Sequence, residues 1–266
     1  EFPNALNAMD SPSGDGINTY IVAKAVRTMG IKVALSGIGA DELFAGYPIF
    51  HHWIKIRKNS IFWKLPFHLR KTLSNLTVGN NIRNQRISGL LRMQTPSIEN
   101  VYTLLRQVNS KQSIHRLMKQ LPLRSQLSVN LGEMQPRIGQ FPLLSQLSIA
   151  EFSGYTRQTL LRDTDQMSMS QSLEVREPFF DHELVEYVLG LTDGLKSGDK
   201  PKPLLLDTLG SSIPREIYDR PKKGFVLPFE NWFRYELRAF CADKINDLSQ
   251  RGFFKEKELY NYWDDF

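Results

Sequence analysis

The chain has 266 residues, 41% of them hydrophobic and 23% charged, with a formal net charge of +6. That length buries a sizeable core in one domain or two. Its one cysteine, Cys241, excludes an internal disulfide and fits a reducing, cytoplasmic setting, and no apolar run approaches the roughly 18–20 residues of a membrane span.

In chain order, Asn18 to Thr28 has apolar residues at helical spacing, with Asn18 as its cap and Gly30 as its end. Ile31 to Leu35 reads as a buried strand of a parallel sheet. Ser36-Gly37-Ile38-Gly39-Ala40-Asp41-Glu42 follows at the strand's carboxyl end, where ligands bind to such sheets. Ser36, Gly37 and Gly39 can bring backbone amides to an anion. Asp41 is then placed to hold Mg²⁺, which takes one or two carboxylates with phosphate oxygens and water, and Glu42 reads as a helix-start residue. The same run also reads as an ordinary turn whose acids cap a helix. Pro48 should interrupt whatever helix starts at Asp41.

Between Leu43 and Gly132 there are fourteen Lys or Arg residues and one acid, Glu99. The lysines and arginines from Lys55 to Lys71 alternate with Trp53, Phe62, Trp63 and Phe67. A helical insert with aromatics inward and bases in water accounts for this better than a nucleic-acid surface, because no nucleic-acid motif accompanies the charge. A docking face for a further domain is a third reading. Leu143 to Leu161 carries a long helical period and Arg162 to Ser172 a further helix. On the latter, Asp165, Ser168 and Ser172 share a face, and Met167 and Met169 read as core filler. Glu174 and Arg176 can pair only if the chain is extended there. Asp181 should cap a helix over Glu183 to Leu191, and two helices should follow Phe229.

Four blocks, in order, carry a family resemblance. Ser36 to Tyr47 (SGIGADELFAGY) resembles the second signature of the asparagine synthetase family. Arg162 to His182 is similar to its D-x-x-S-M-x-x-S-x-E-x-R-x-P-F-x-D-H block, and Arg220 to Phe229 to its R-P-K-x-G-F-x-x-P segment. Lys202, with Leu204-Leu205 and Pro214 twelve residues on, matches its K-x-L-L. The resemblance implies a predominantly helical α/β fold: a partial parallel sheet of the adenine-nucleotide alpha-hydrolase kind with a large helical C-terminal part. The expected organisation is 1–50 as remnant of that sheet, 51–140 as basic helical insert and 141–266 as helical remainder, or one continuous domain.

The implied chemistry is ATP-dependent adenylation of a carboxylate, aspartate by default, followed by attack of glutamine-derived ammonia to give an amide, AMP and pyrophosphate. ATP and Mg²⁺ are the implied cofactors. Lys202 and Asp41 take the catalytic places, with Asp41 on the metal. Ser36, Gly37, Gly39, Lys222 and Lys223 face the nucleotide, and Asp165 and Ser168 the substrate. Read without the family, Lys202 is a solvated lysine in a polar loop, and Lys222 and Lys223 a surface pair.

The implied partners are small-molecule substrates and an N-terminal glutaminase domain; a homodimer is compatible, and neither nucleic acid nor membrane is expected. Three departures stand out. No S-G-G-x-D-S pyrophosphate loop occurs among these residues, so the chain alone is expected to be a catalytically inactive C-terminal piece. Ile38 stands where aspartate-using members commonly carry Glu, and isoleucine cannot move a proton. Gln166 replaces an Arg often seen in its block. These leave the acceptor acid open, and keep alive a relative that binds nucleotide without turnover.

Overall fold

Helices dominate the computed structural model, which describes residues 1–77, 81–120, 126–219 and 227–265. Among the described residues the sheet has two strands, β1 (Val33–Leu35) and β2 (Glu174–Arg176). They run parallel, with Val33 opposite Glu174 and Leu35 opposite Arg176. The expected burial of this strand is not found: Val33 is 44% and Leu35 75% exposed. A parallel strand is buried when elements cover both its faces, and among the described residues β1 pairs with β2 alone.

The chain sorts into two units. The first comprises Glu1–Leu65, Gln94–Thr103 and Gln126–Lys223. It opens with α1 (Phe2–Ala8) and α2 (Gly14–Thr28). The cap of α2 is Ser13, whose Oγ accepts from the Asp15 amide at 3.1 Å, so Asn18 lies inside the helix rather than at its start. Gly30, at φ +82°, turns the chain toward β1. After β1 come α3 (Ala40–Leu43) and α4 (Pro48–Lys58). Proline at the first position of α4 separates the two, as its fixed φ and missing N–H require.

A helical run with a kink at Gly154 then crosses the unit. Leu143–Glu151 is α-helical, Phe152–Leu160 is a π-helix and Leu161–Met169 is α-helical again. The π segment forms around Gly154, whose φ/ψ of −104°/−106° is non-helical. A Cβ there would lie 2.5 Å from the hydroxyl oxygen of buried Tyr102, which accepts the Tyr155 amide at 3.1 Å. The last helix stops at Met169, so Ser172, at φ +55°, leaves the expected face. Met167 is fully buried, but Met169 is 55% exposed and fills no core. β2 is extended, and there Arg176 Nε donates to Glu174 Oε1 at 2.7 Å on an exposed surface. Asp181 Oδ1 caps the helix His182–Gly190 through the amides of Glu183 and Leu184.

The second unit comprises Pro66–Met93, Leu104–Ser125 and Gly224–Phe266. Its helices include Phe67–Ser74, Ile82–Leu91 and Lys111–Leu117. Three more, not two, follow Phe229: Phe229–Arg234, Arg238–Gln250 and Glu256–Asp264. Two main-chain bonds, Lys119 N to Phe253 O and Lys255 N to Leu117 O, both 2.9 Å, tie its middle and C-terminal stretches.

The basic stretch is helical, with most of its lysines and arginines in water. In α4, Trp53 and Phe50 are buried while Lys55, Arg57 and Lys58 are exposed. Arg70 departs from this: it is buried, and its Nη1 donates to the Met93 carbonyl at 2.8 Å. Cys241 is half-buried, and that burial pushes its thiol pKa up. No helix of the described residues is long and apolar enough to cross a membrane.

Candidate active site

Two acids that are neighbours in sequence take opposite environments at the end of β1. The Ser36 amide extends the ladder to the Arg176 carbonyl at 2.8 Å, and Ser36 Oγ accepts the Ile38 amide at 3.2 Å. Gly39 then adopts φ +97°. Only glycine fits there, because a Cβ would lie 2.9 Å from the Phe180 ring and 3.0 Å from Phe179 Cβ. Glu42, 1% exposed, folds back on this turn. Its Oε2 accepts the Gly39 amide at 3.1 Å and its Oε1 the Tyr47 hydroxyl at 2.8 Å. The Glu42 carbonyl accepts Ser148 Oγ at 2.7 Å from the Leu143–Glu151 helix. Glu42 is thus a buried brace. It also engages the Gly39 amide that the sequence assigned to an anion, whereas Gly37 is exposed with open space where a side chain would sit. Burial first, then Glu42, holds the Tyr47 phenol far above its ordinary pKa, so Tyr47 keeps its proton and donates a hydrogen bond to Glu42.

Asp41 faces the other way. Its carboxylate lies 3.0 Å from Lys202 Nζ, with 22% and 29% of the two side chains exposed. The residues are 161 positions apart, and a shared apolar core brings them together. Leu43 and Phe44, just after Asp41, form a buried cluster with Val188, against which Leu204 and Leu205, just after Lys202, also pack. Phe179 closes the cluster edge-on to Phe44, 6.0 Å between ring centroids. Each fully buried leucine or phenylalanine contributes about 1.5–3 kcal/mol, so apolar packing sets the spacing of the charges.

Both partners rest on special backbone. Gly46 donates its amide to the Asp41 carbonyl at 2.7 Å, and a Cβ on it would fall 2.0 Å from Asp41 Oδ1. Lys202 adopts φ +54° at the start of the helix Pro203–Leu209. A left-handed lysine is uncommon, and such conformations concentrate where a side chain has a task.

The other expected site residues differ in their surroundings. Asp165 is exposed, while Ser168 is buried with its Oγ donating to the Asp165 carbonyl at 3.4 Å, so the two do not present one common surface. Burial raises the Glu177 carboxyl pKa, and Asp165 adds to the shift. Lys222 and Lys223 lie outside the described residues.

The sequence reading missed Asp163, which is buried on the inner face of its helix. It accepts from Ser13 Oγ and lies 3.8 Å from Arg162. Burial raises its pKa, against the lowering effect of Ser13 and Arg162. Nearby, the Tyr155 hydroxyl donates to Asp15 Oδ2 at 2.5 Å. Buried Met167, four residues after Asp163, marks the inner face, and that spacing was the available signal.

A family model described as asparagine synthase matches residues 1–265. Asparagine synthetase [glutamine-hydrolyzing] 1 of Bacillus subtilis is 26% identical over 272 residues, covering 100% of this chain and 42% of the relative. A putative asparagine synthetase [glutamine-hydrolyzing] of Mycobacterium tuberculosis is 29% identical over 88% of the chain and 35% of its own length. Amidase chyE of Penicillium rubens is 24% identical over 83% and 36%. The chain therefore spans less than half the length of these curated relatives. No solved structure matches it.

Proposed function

The chain belongs to the asparagine synthase family, and from that premise we propose that it is part of an ATP-dependent ligase that activates a carboxylate and converts it to an amide with ammonia drawn from glutamine. The ion pair of Lys202 with Asp41, at 3.0 Å, carries this reading. It joins two of the family-like blocks at the carboxyl end of β1, where a parallel sheet receives its ligands. We take β1 and β2 as part of an adenine-nucleotide sheet.

Asp41 fits Mg²⁺ in one specific respect: it offers a hard carboxylate on a partly exposed side chain, beside a cation suited to phosphate. When bound, Mg²⁺ would neutralise charge on the nucleotide's phosphates. Asp41 would hold it, and the exposed Gly37 segment with Ser36 would border the phosphates. The Lys202 ammonium is a compact charge on a long stem; it would exchange its carboxylate contact for the negative charge that builds on departing pyrophosphate. Glu42 and Gly46 would fix the direction of the Asp41 carboxylate and take no proton. Lys222 and Lys223 are further phosphate candidates.

Aspartate is the default acceptor, by the names of the bacterial relatives. A different carboxylate is the second reading, favoured by Ile38 in the turn and by the likeness to a protein named an amidase. Glutamine would be hydrolysed by a separate glutaminase portion, as the relatives' names describe for them.

The test is pyrophosphate release by the full-length protein across candidate acids. One acid should stimulate release, and Lys202→Ala or Asp41→Asn should lower it by about a hundredfold or more, the scale of removing one group that meets transition-state charge. No stimulation by any acid, or undiminished release by Lys202→Ala, would sink the proposal. The 266-residue chain alone, having no S-G-G-x-D-S run, should show no ATP–pyrophosphate exchange.

A further inference from the structure

Converting an activated carboxylate to an amide requires a proton acceptor. The nitrogen of ammonia bonds to the acyl carbon, and the carbonyl electron pair moves to oxygen. To give a neutral amide, that nitrogen must pass one proton to a base as the C–O bond to AMP breaks and AMP leaves with its electron pair. Ile38 in the turn takes no proton, and the acids that follow it are committed: Asp41 to Lys202, and Glu42 to the Gly39 amide and the Tyr47 hydroxyl.

The register of the sheet places a further carboxyl at its carboxyl end. Ala34 lies opposite Val175 and both are half-buried, whereas Val33, Leu35, Glu174 and Arg176 on the other face are exposed. The helix Leu161–Met169 packs on β2, so it covers the face of Ala34 and Val175. Two residues further along each strand come Ser36 and Glu177, where the Ser36 amide donates to the Arg176 carbonyl at 2.8 Å. Glu177 is still extended, at φ −114° and ψ 87°. Side chains alternate along a strand, so Ser36 and Glu177 stand side by side on the covered face, their backbones about 5 Å apart. Gly37, the next residue after Ser36, is exposed and has open space where a side chain would sit. Phe179 and Phe180 press on Gly39, which locks the end of β2 to the turn that leads to Asp41.

We propose that Glu177 is the general base of the amide-forming step, its carboxylate taking the proton released as the nitrogen bonds to the acyl carbon. The inference rests on the ligase reading and deepens it. Glu177 is half-buried, and among the described residues no cation pairs with it. Asp165, on the covering helix, is the charged group that acts on it. Burial first, then Asp165, raises its pKa, against the opposing effect of its own amide. A carboxylate raised in this way is a stronger proton acceptor than one in water.

The test uses the full-length protein with the acid that stimulates pyrophosphate release, and ammonium chloride as nitrogen source so that glutamine hydrolysis does not enter. Pyrophosphate formed in the first turnover without ammonia is compared with amide formed when ammonia is present. Glu177→Gln should leave the first within about twofold and lower the second by about a hundredfold, the lower end of what a positioned base contributes. Glu177→Asp should recover part of the loss. The ratio of parent to Glu177→Gln amide rates should shrink as the pH falls through a pKa above 4.5, because the parent loses its base form there and glutamine has nothing to titrate. Equal losses in both readouts, an unchanged amide rate in Glu177→Gln, or a ratio independent of pH would overturn the proposal. Failure of the ligase reading looks different: no acid would stimulate pyrophosphate release in the parent protein, and the base would have no reaction to serve.

Discussion

The turn that carries Asp41 and the loop that carries Lys202 meet at one ion pair but are built differently. From Ser36 to Tyr47 nearly every polar group is fixed: Ser36 holds Ile38, Glu42 holds Gly39 and Tyr47, Ser148 holds Glu42, and Gly46 backs onto Asp41. From Ser197 to Lys202 the attachments are at the two ends and the rim: Ser197 Oγ donates to the Asp193 carbonyl, the Lys202 carbonyl accepts the Leu206 amide, and Lys200 lies on Tyr218 and Asp219. The acid is set in a rigid frame and the base sits on a more adjustable one. A group that must meet charge developing in a reaction benefits from a long, adjustable stem, while a metal-holding carboxylate benefits from a fixed direction.

The contrast gives a ranked set of expectations. Glu42→Ala leaves the buried Gly39 amide and the Tyr47 hydroxyl without their acceptor, and should cost about 3 kcal/mol in a urea denaturation, one to two for each orphaned group. Glu42→Gln should recover part of that loss; equal loss in both variants would show that volume, not the hydrogen bonds, matters. Gly46→Ala should cost about 2 kcal/mol, by analogy with an overpacked core, because its methyl and the Asp41 carboxylate cannot share the same space. A neutral result would mean that Asp41 swings freely and the frame is not rigid.

Next comes a pH effect on the loop's root. The Lys196 pKa in the folded chain lies below the ordinary value of 10.5. Between those two values the unfolded chain binds the extra proton, so stability should rise with pH through the alkaline window that closes near 10.5. Burial lowers it, and Asp193 opposes the shift through space. Lys196→Met should remove this component, seen as the difference between the two unfolding curves from pH 7 to 10.5; parallel curves would count against it. The smallest effect is Lys200→Ala, a contact between exposed groups, which should change the urea midpoint by less than about 0.5 kcal/mol equivalent.

Local rules made much of this legible beforehand. Pro48 divided two helices, Asp181 capped one, Gly30 ended another, and Glu174 with Arg176 paired once the chain was extended. Each of these depends on neighbours within a few residues. The misses depend on distant packing. Ser13 displaced Asn18 as a cap, and its hydroxyl also reaches Asp163, 150 positions away. Leu35 is apolar, yet whether it is covered depends on which elements stack beside it. Lys196 looks like any loop lysine until helices from two other stretches enclose it. Asp41 and Lys202 were legible as a motif and a resemblance, but their spacing comes from leucines and phenylalanines that no local rule connects.

The π-helix at Phe152–Leu160 has an effect well beyond its own length. The non-helical Gly154 within it resets the direction of everything that follows, and each residue of an α-helix turns about 100°. Removing one residue between Phe152 and Leu160 would shift the register after the kink and turn Leu161–Met169 by about that angle. Asp163 would swing away from Ser13, Met167 would leave the interior, and a residue now in water would take their place. The phase of the whole Asp163 face is therefore set upstream, by a glycine that makes room for the hydroxyl of Tyr102.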